Sequence, residues 1–177
     1  VFGLSRTLAL SRRMTLSFDT GSTIVAYEGN RRFDVTANAT FDYRFRREWT
    51  AGAAYSRGVQ FNAAFAPPLF ADNFASTLNG SIGRVGLSSR AGLATGSVGF
   101  DRDNGFVAYH SGVDASVDTG RFMALTLGYS YYRHRFDQAA PLPAEFGTDV
   151  SRHSVFAGAS VSLPLVGARA RRAYAAR

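Results

Sequence analysis

The chain of 177 residues has no cysteine and no lysine, and only five prolines, two methionines and one tryptophan. Without cysteine there is neither a disulfide framework nor a thiolate metal site. All 20 basic residues are arginine, a bias that fits a GC-rich coding sequence and carries no functional weight. No stretch approaches the roughly 18 to 20 consecutive apolar residues of a transmembrane helix, so any membrane crossing has to be made by strands. The chain opens with neither an initiator Met nor a signal-peptide pattern. Val1 to Leu10 already read as the middle of a strand, so the expectation is a piece or processed form of something longer.

The formal charge is +7 and the sequence pI about 10.4. Four arginines (Arg169, Arg171, Arg172 and Arg177) lie with no acid in residues 166–177, and subtracting them from +7 leaves +3 for the body. That mild excess has no aromatic-plus-basic recognition motif beside it, so nucleic acid is not an expected partner. Residues 1–165 read as one β segment and 166–177 as a disordered Arg/Ala-rich tail.

The chain does hold 15 phenylalanines, 8 tyrosines and 18 glycines, with 46% hydrophobic residues yet a mean hydropathy of −0.08. Alternation accounts for that combination. From Arg32 to Arg46 every odd position (Phe33, Val35, Ala37, Ala39, Phe41, Tyr43, Phe45) is apolar and every even one polar or charged, Arg32, Asp34, Asn38, Asp42, Arg44 and Arg46 among them. Successive side chains of a strand point to opposite faces, so the stretch has a greasy side and a wet side. A tilted strand of roughly 9 to 11 residues crosses a bilayer.

The same reading predicts nine strands: Phe2–Leu10, Met14–Tyr27, Arg32–Arg46, Trp49–Phe61, Asn73–Gly83, Leu87–Phe100, Phe106–Val117, Phe122–Phe136 and Val150–Leu163. Alternation is poor only in the sixth. Short connections (Ser11–Arg13, Arg46–Glu48, Arg84–Gly86, Asp118–Gly120) are expected to alternate with longer ones (Glu28–Arg31, Asn62–Asp72, Asp101–Gly105, Asp137–Asp149), the asymmetry of an outer-membrane barrel. With nine strands and that orientation, at least one strand is expected upstream. Aromatic side chains at strand ends would form the two interfacial belts: Tyr43, Phe45 and Trp49 beside a short turn, and Tyr27, Phe61, Phe65, Tyr129 and Tyr131 toward the longer loops. A soluble β-sandwich also alternates, but its strands are shorter and its aromatics sit mid-strand.

Parity assigns wall positions to a lumen. They are Thr50, Gly52, Ala54, Ser56, Gly58 and Gln60; His110, Gly112, Asp114 and Ser116; Thr126, Gly128, Ser130, Tyr132 and His134; and Arg152, Ser154, Phe156, Gly158, Ser160 and Ser162. Most are small, so they suit a wide, water-filled barrel better than one filled by its own side chains. Arg32, Asp34, Asp42, Arg44, Arg46 and Arg152 would line the pore; the expectation is that they pair with one another inside the wall and keep the lumen wet, while the other reading is that their slight arginine excess favours anionic solutes such as acidic sugars.

Four segments carry a family resemblance: Leu10 to Phe18, Ala54 to Val59, Leu127 to Arg133 and Ser151 to Leu165. Their wording resembles the hairpins of porin 2-like outer-membrane β-barrels, a group that includes barrels associated with exopolysaccharide secretion. The resemblance implies an all-β, antiparallel, up-and-down transmembrane barrel of the bacterial outer membrane, of which this chain is the C-terminal part. It further implies contact with the lipid bilayer and lipopolysaccharide, and a passive pore or export channel for anionic polysaccharide or small solutes. The other reading is a non-conducting structural or adhesive barrel acting through its external loops. One departure stands out: such barrels end on an aromatic residue near the C-terminus, whereas here Leu163-Pro164-Leu165 runs into the arginine-rich tail.

Catalysis is not expected. His110 and Ser111 are neighbours on a strand and so face opposite sides, and only a bulge would bring them together with Asp114. His134 with Asp137 reads as a structural rim pair, and His153 as a lipid-side residue near a loop. No cofactor or metal is expected, because the chain has no Gly-rich phosphate loop and no ligand cluster. Asn38-Ala39-Thr40 and Asn79-Gly80-Ser81 match the glycosylation acceptor pattern by chance.

Overall fold

The computed structural model describes residues 3–61, 67–100, 104–120, 122–137 and 147–161. They form β1 (Gly3–Ser11), β2 (Met14–Tyr27), β3 (Asn30–Arg46), β4 (Trp49–Gln60), β5 (Leu69–Ile82), β6 (Val85–Val98), β7 (Gly105–Asp118), β8 (Met123–Phe136) and β9 (Asp149–Val161). Each strand pairs antiparallel with its sequence neighbour in one up-and-down sheet, β1 through β9. The sheet is not closed: β1 and β9 each have one partner among the described residues. The tail from 166 onward, with Ser162 and Phe65, lies outside them.

Eight strands begin and end within two residues of the alternation-based bounds, and one connection and one strand depart. Glu28–Arg31 is not a longer loop. Tyr27 pairs with Asn30, and Glu28 (φ 48°) and Gly29 (φ 79°) make a two-residue turn with both residues left-handed, the geometry that follows the strand twist. Strict short-long alternation therefore fails at that connection, although 61–68, 99–104 and 137–148 remain long. The second departure is β5, which starts at Leu69, directly after Pro68, rather than at Asn73.

Register carries the two faces across the whole sheet. Leu8, Leu16, Phe41, Ala53, Ser76, Ala91, Ser111, Tyr131 and His153 form one continuous row of Cα partners, and the row of residues one position on is Thr7, Ser17, Thr40, Ala54, Ala75, Gly92, His110, Tyr132 and Arg152. Partners in a ladder share a face. One face is thus mainly apolar and the other built of Ser, Thr, Asn, Asp, Gly and Ala. Even β6 conforms, with Val85, Leu87 and Leu93 on one side and Ser88, Arg90 and Gly92 on the other.

The rows also drift. The row starting at Met14, the first residue of β2, meets Tyr43 three residues before the end of β3, Leu78 four before the end of β5, Val113 five before the end of β7, and Tyr129 six after the start of β8. That is one residue per strand. At about 3.4 Å along the strand for about 4.8 Å across, the strands tilt by about 35°. Tilts of roughly 35–45° are those of sheets that close into barrels.

Little of the apolar face is covered. Ile24, Phe33, Leu127 and Val155 are 58–73% exposed, and Val25, Phe70, Ala71 and Val98 are the buried hydrophobic residues among those described. A soluble protein seldom leaves so extended an apolar surface bare.

Candidate functional site

The predicted lumen residues fall together on the polar face. Arg32, Asp34, Asn38, Asp42 and Arg44 of β3 pair with Val25, Thr23, Asp19, Thr15 and, on β4, Thr50. His110 and Asp114 of β7, His134 of β8 and Arg152 of β9 share that side. Arg46 does not follow the pattern, because the β3–β4 register shifts between Arg44 and Arg46, leaving it opposite Trp49 at the turn. Neighbouring polar-face side chains hydrogen-bond across strands: Thr7 with Ser17 at 3.0 Å, Asn38 donating to Asp19 at 2.9 Å, and Ser88 to Asn79 at 2.8 Å.

The arginine excess does not hold once register assigns every strand. Arg32, Arg44, Arg90 and Arg152 stand against Asp19, Asp34, Asp42, Asp114 and Asp118, and Arg90 approaches Asp114 at 3.9 Å. Among the described residues the polar face is close to neutral. His110 and Ser111 lie on opposite faces along a β7 whose ladders carry no register shift, so they form no nucleophile-base pair. His134 is 3.3 Å from the Gly147 carbonyl, and His153 is on the apolar side, its Nδ1 2.8 Å from the Tyr129 hydroxyl.

The aromatic belts divide. Tyr43, Phe45 and Trp49 form one cluster on the apolar face, with ring centroids 5.8 and 6.1 Å apart, next to the β3–β4 turn. Phe61, 71% exposed, follows the last residue of β4. Tyr129 and Tyr131 sit mid-strand on the apolar face, where the face turns from Leu125 and Leu127 to Arg133 and Arg135. Tyr27 is a correction. It shares the polar side with Val25 and packs edge-on against Phe100 at 6.4 Å, because β2 changes at its end from apolar-outward alternation to a small core.

That core is the feature hidden from sequence. β3 and β4 pair only from Ala37–Arg57 down to the turn, so residues 30–36 have no partner on the β4 side among the described residues. Phe70 is buried beside this wedge, with the Arg32 guanidinium 4.3 Å over its ring and Phe100 at 5.8 Å. Gly99 N–H donates to the Pro68 carbonyl at 2.8 Å, and Pro68 is fully buried. Arg57 bridges Asp34 (3.7 Å) and Asp72 (3.5 Å), and Asp72 also accepts from the Tyr55 hydroxyl at 2.6 Å. Asp34 is only 7% exposed, which its pairing with Arg57 permits. Arg32, Asp34, Arg57, Phe70 and Asp72 border a cavity of about 260 Å³. The signal available in sequence was the Phe70 and Pro67-Pro68 segment, but nothing local ties it to Arg32.

Three rings lie over glycines of the neighbouring strand: Trp49 over Gly80, His110 over Gly92 and Phe156 over Gly128, each at a point where a Cβ would collide with the ring. Gly80→Ala should therefore lift Trp49 off the wall and change its emission maximum. Because Trp49 is the sole tryptophan, an unchanged spectrum in the refolded variant would contradict this packing.

No group of three or more His, Cys, Asp or Glu side chains among the described residues is arranged to hold a metal. Comparison of the chain with protein-family models, with curated proteins and with solved structures finds no match.

Proposed function

We propose that this sheet is a wall of an outer-membrane β-barrel, related to the porin 2-like group, whose polar face lines a passive pore and whose apolar face meets lipid. The carrying observation is that one alternation runs through eight ladders, with register shifts only beside two short turns, leaving one face mainly polar and the other mainly apolar and largely uncovered. The one-residue drift per strand supports closure by further strands, since it gives the tilt of a barrel. On β8 the apolar band from Met123 to Tyr131 is nine residues. At that tilt it stands about 22 Å tall, near the roughly 25 Å apolar band of such barrels.

Transport on this reading follows from lumen width and wall polarity, without covalent chemistry. The near-neutral wall supports weak ion preference, so a polysaccharide or small polar solute fits it better than a strongly anion-selective role does. The alternative is a non-conducting barrel that acts through its long loops, and the buried Pro68 and Phe70 at the start of β5, next to one of them in sequence, favour it.

Single-channel recording in planar bilayers, using the full-length protein refolded in detergent, separates the two. Large steady openings with little ion selectivity are expected. A folded protein that stays silent supports the loop-presenting barrel, and one that folds without detergent or lipid overturns both.

A further inference from the structure

The polar face is uneven in one respect. From β3 to β6 its mid-strand rows hold Ser, Thr, Asn, Asp, Ala, Gly and Arg90, whereas β7 to β9 add a file of rings. Tyr132, His134 and Phe136 occupy alternate positions of β8 with centroids 5.6 and 5.3 Å apart, and Phe106 stands 5.7 Å from Phe136. Phe156 of β9 extends the file toward the short-turn end, laid over Gly128. From Gly128 to Phe136 the file runs about 27 Å along the strand.

These rings are not a core. Phe156 is 47% and Tyr132 44% exposed, on the face that is otherwise hydrophilic. Ser130 and Ser154 are Cα partners in the row between Phe156 and Tyr132, and Arg152 is the Cα partner of Tyr132. Arg152 is exposed, makes no ion pair with another described residue, and carries the single formal charge on the polar faces of β8 and β9.

Four rings along one line, three of them in steps of 5.3 and 5.6 Å close to those of a glycan's successive rings, with one row of serine hydroxyls and an exposed arginine beside them, match one ligand chemistry. A pyranose ring stacks its C–H face on an aromatic face and presents its hydroxyls at the edge, where serine side chains meet them. We infer that the polar faces of β8 and β9 form a track for a glycan chain, with Phe156, Tyr132, His134 and Phe136 as stacking positions and Arg152 receiving a sugar carboxylate. The inference deepens the pore reading and takes its solute class from the wall itself.

The test titrates the full-length protein in detergent with fluorescently labelled oligoalginate and, as a neutral probe, maltohexaose, followed by anisotropy; channel recording is run in parallel. Oligoalginate is expected to bind. Joint Phe156→Ala and Tyr132→Ala substitution should weaken it about tenfold, as loss of aromatic stacking predicts. Tyr132→Leu, which keeps an apolar side chain, should lose severalfold, and Tyr132→Phe little. Arg152→Gln should bring oligoalginate down to the level of maltohexaose, and Thr40→Ala on the opposite part of the wall should change nothing. Absence of binding by either probe at millimolar concentration, or ring variants that bind like wild type, overturns the track. A protein that conducts yet binds neither probe keeps the pore and loses the track; one that binds through these rings but never conducts keeps the track and loses the pore.

Discussion

Leu127→Arg should destabilise the protein in lipid vesicles by about 2–4 kcal/mol, the cost of arginine on the lipid face near the bilayer midplane. Leu127 lies at the centre of the apolar band of β8, between Leu125 and Tyr129, and is 58% exposed. Thr126→Arg, one residue away, should stay within about 0.5 kcal/mol, because Thr126 pairs with Ser116 and Gly158 on the polar face. Urea titration of refolding into phosphatidylcholine vesicles measures both. The contrast between adjacent residues is the diagnostic quantity. Equal losses would mean that the two faces do not divide lipid from water, and tolerance of both would remove the bilayer from the picture.

Phe70→Ala carries the next largest effect, a loss of about 3 kcal/mol, the lower end for a buried phenylalanine. Phe70 is 6% exposed, and its ring holds Arg32 and Phe100 where β3 and β4 diverge. Phe156→Ala removes an equally large ring from a half-exposed site and should cost less than about 1 kcal/mol. Comparing the two by denaturant titration in detergent distinguishes a true local core from a surface ring. A Phe70→Ala protein as stable as wild type would show that the wedge closes without it.

The contrast between these phenylalanines also marks how far sequence reaches here. Strand positions and faces are legible because a period of two is a local property: Met14 to Tyr27 begins and ends where the alternation does, and Leu127 and His110 fall on opposite faces of the sheet, as parity requires. Phe70 has the parity of the apolar face, along with Phe74, and its neighbours Pro67 and Pro68 read as a loop. Its burial depends on Arg32, thirty-eight positions earlier, and on the end of the β3–β4 ladder, which no local pattern encodes. Arg57 and Asp72 are similar. On an otherwise apolar face each looks out of place alone, and only register makes them partners. The strand-end aromatic contacts are partly legible, since Tyr43, Phe45 and Trp49 cluster beside a turn, whereas alternation says nothing about which residues cap a strand end and so does not bring Tyr27 to Phe100. The glycine-ring pairs were invisible for the same reason as Phe70, each joining two strands.

The odd strand count has a consequence of its own. The nine strands of the described residues run alternately up and down and leave β1 and β9 pointing the same way. Joining those two edges directly makes a parallel seam, whether within one molecule or head to tail between two copies in a ring. A wall that is antiparallel all the way round requires an odd number of additional strands between β9 and β1. Within a single closed chain an even total of strands admits antiparallel pairing throughout and an odd one obliges a parallel pair somewhere on the circumference, whereas two nine-stranded copies joined head to tail keep two parallel seams despite their even total.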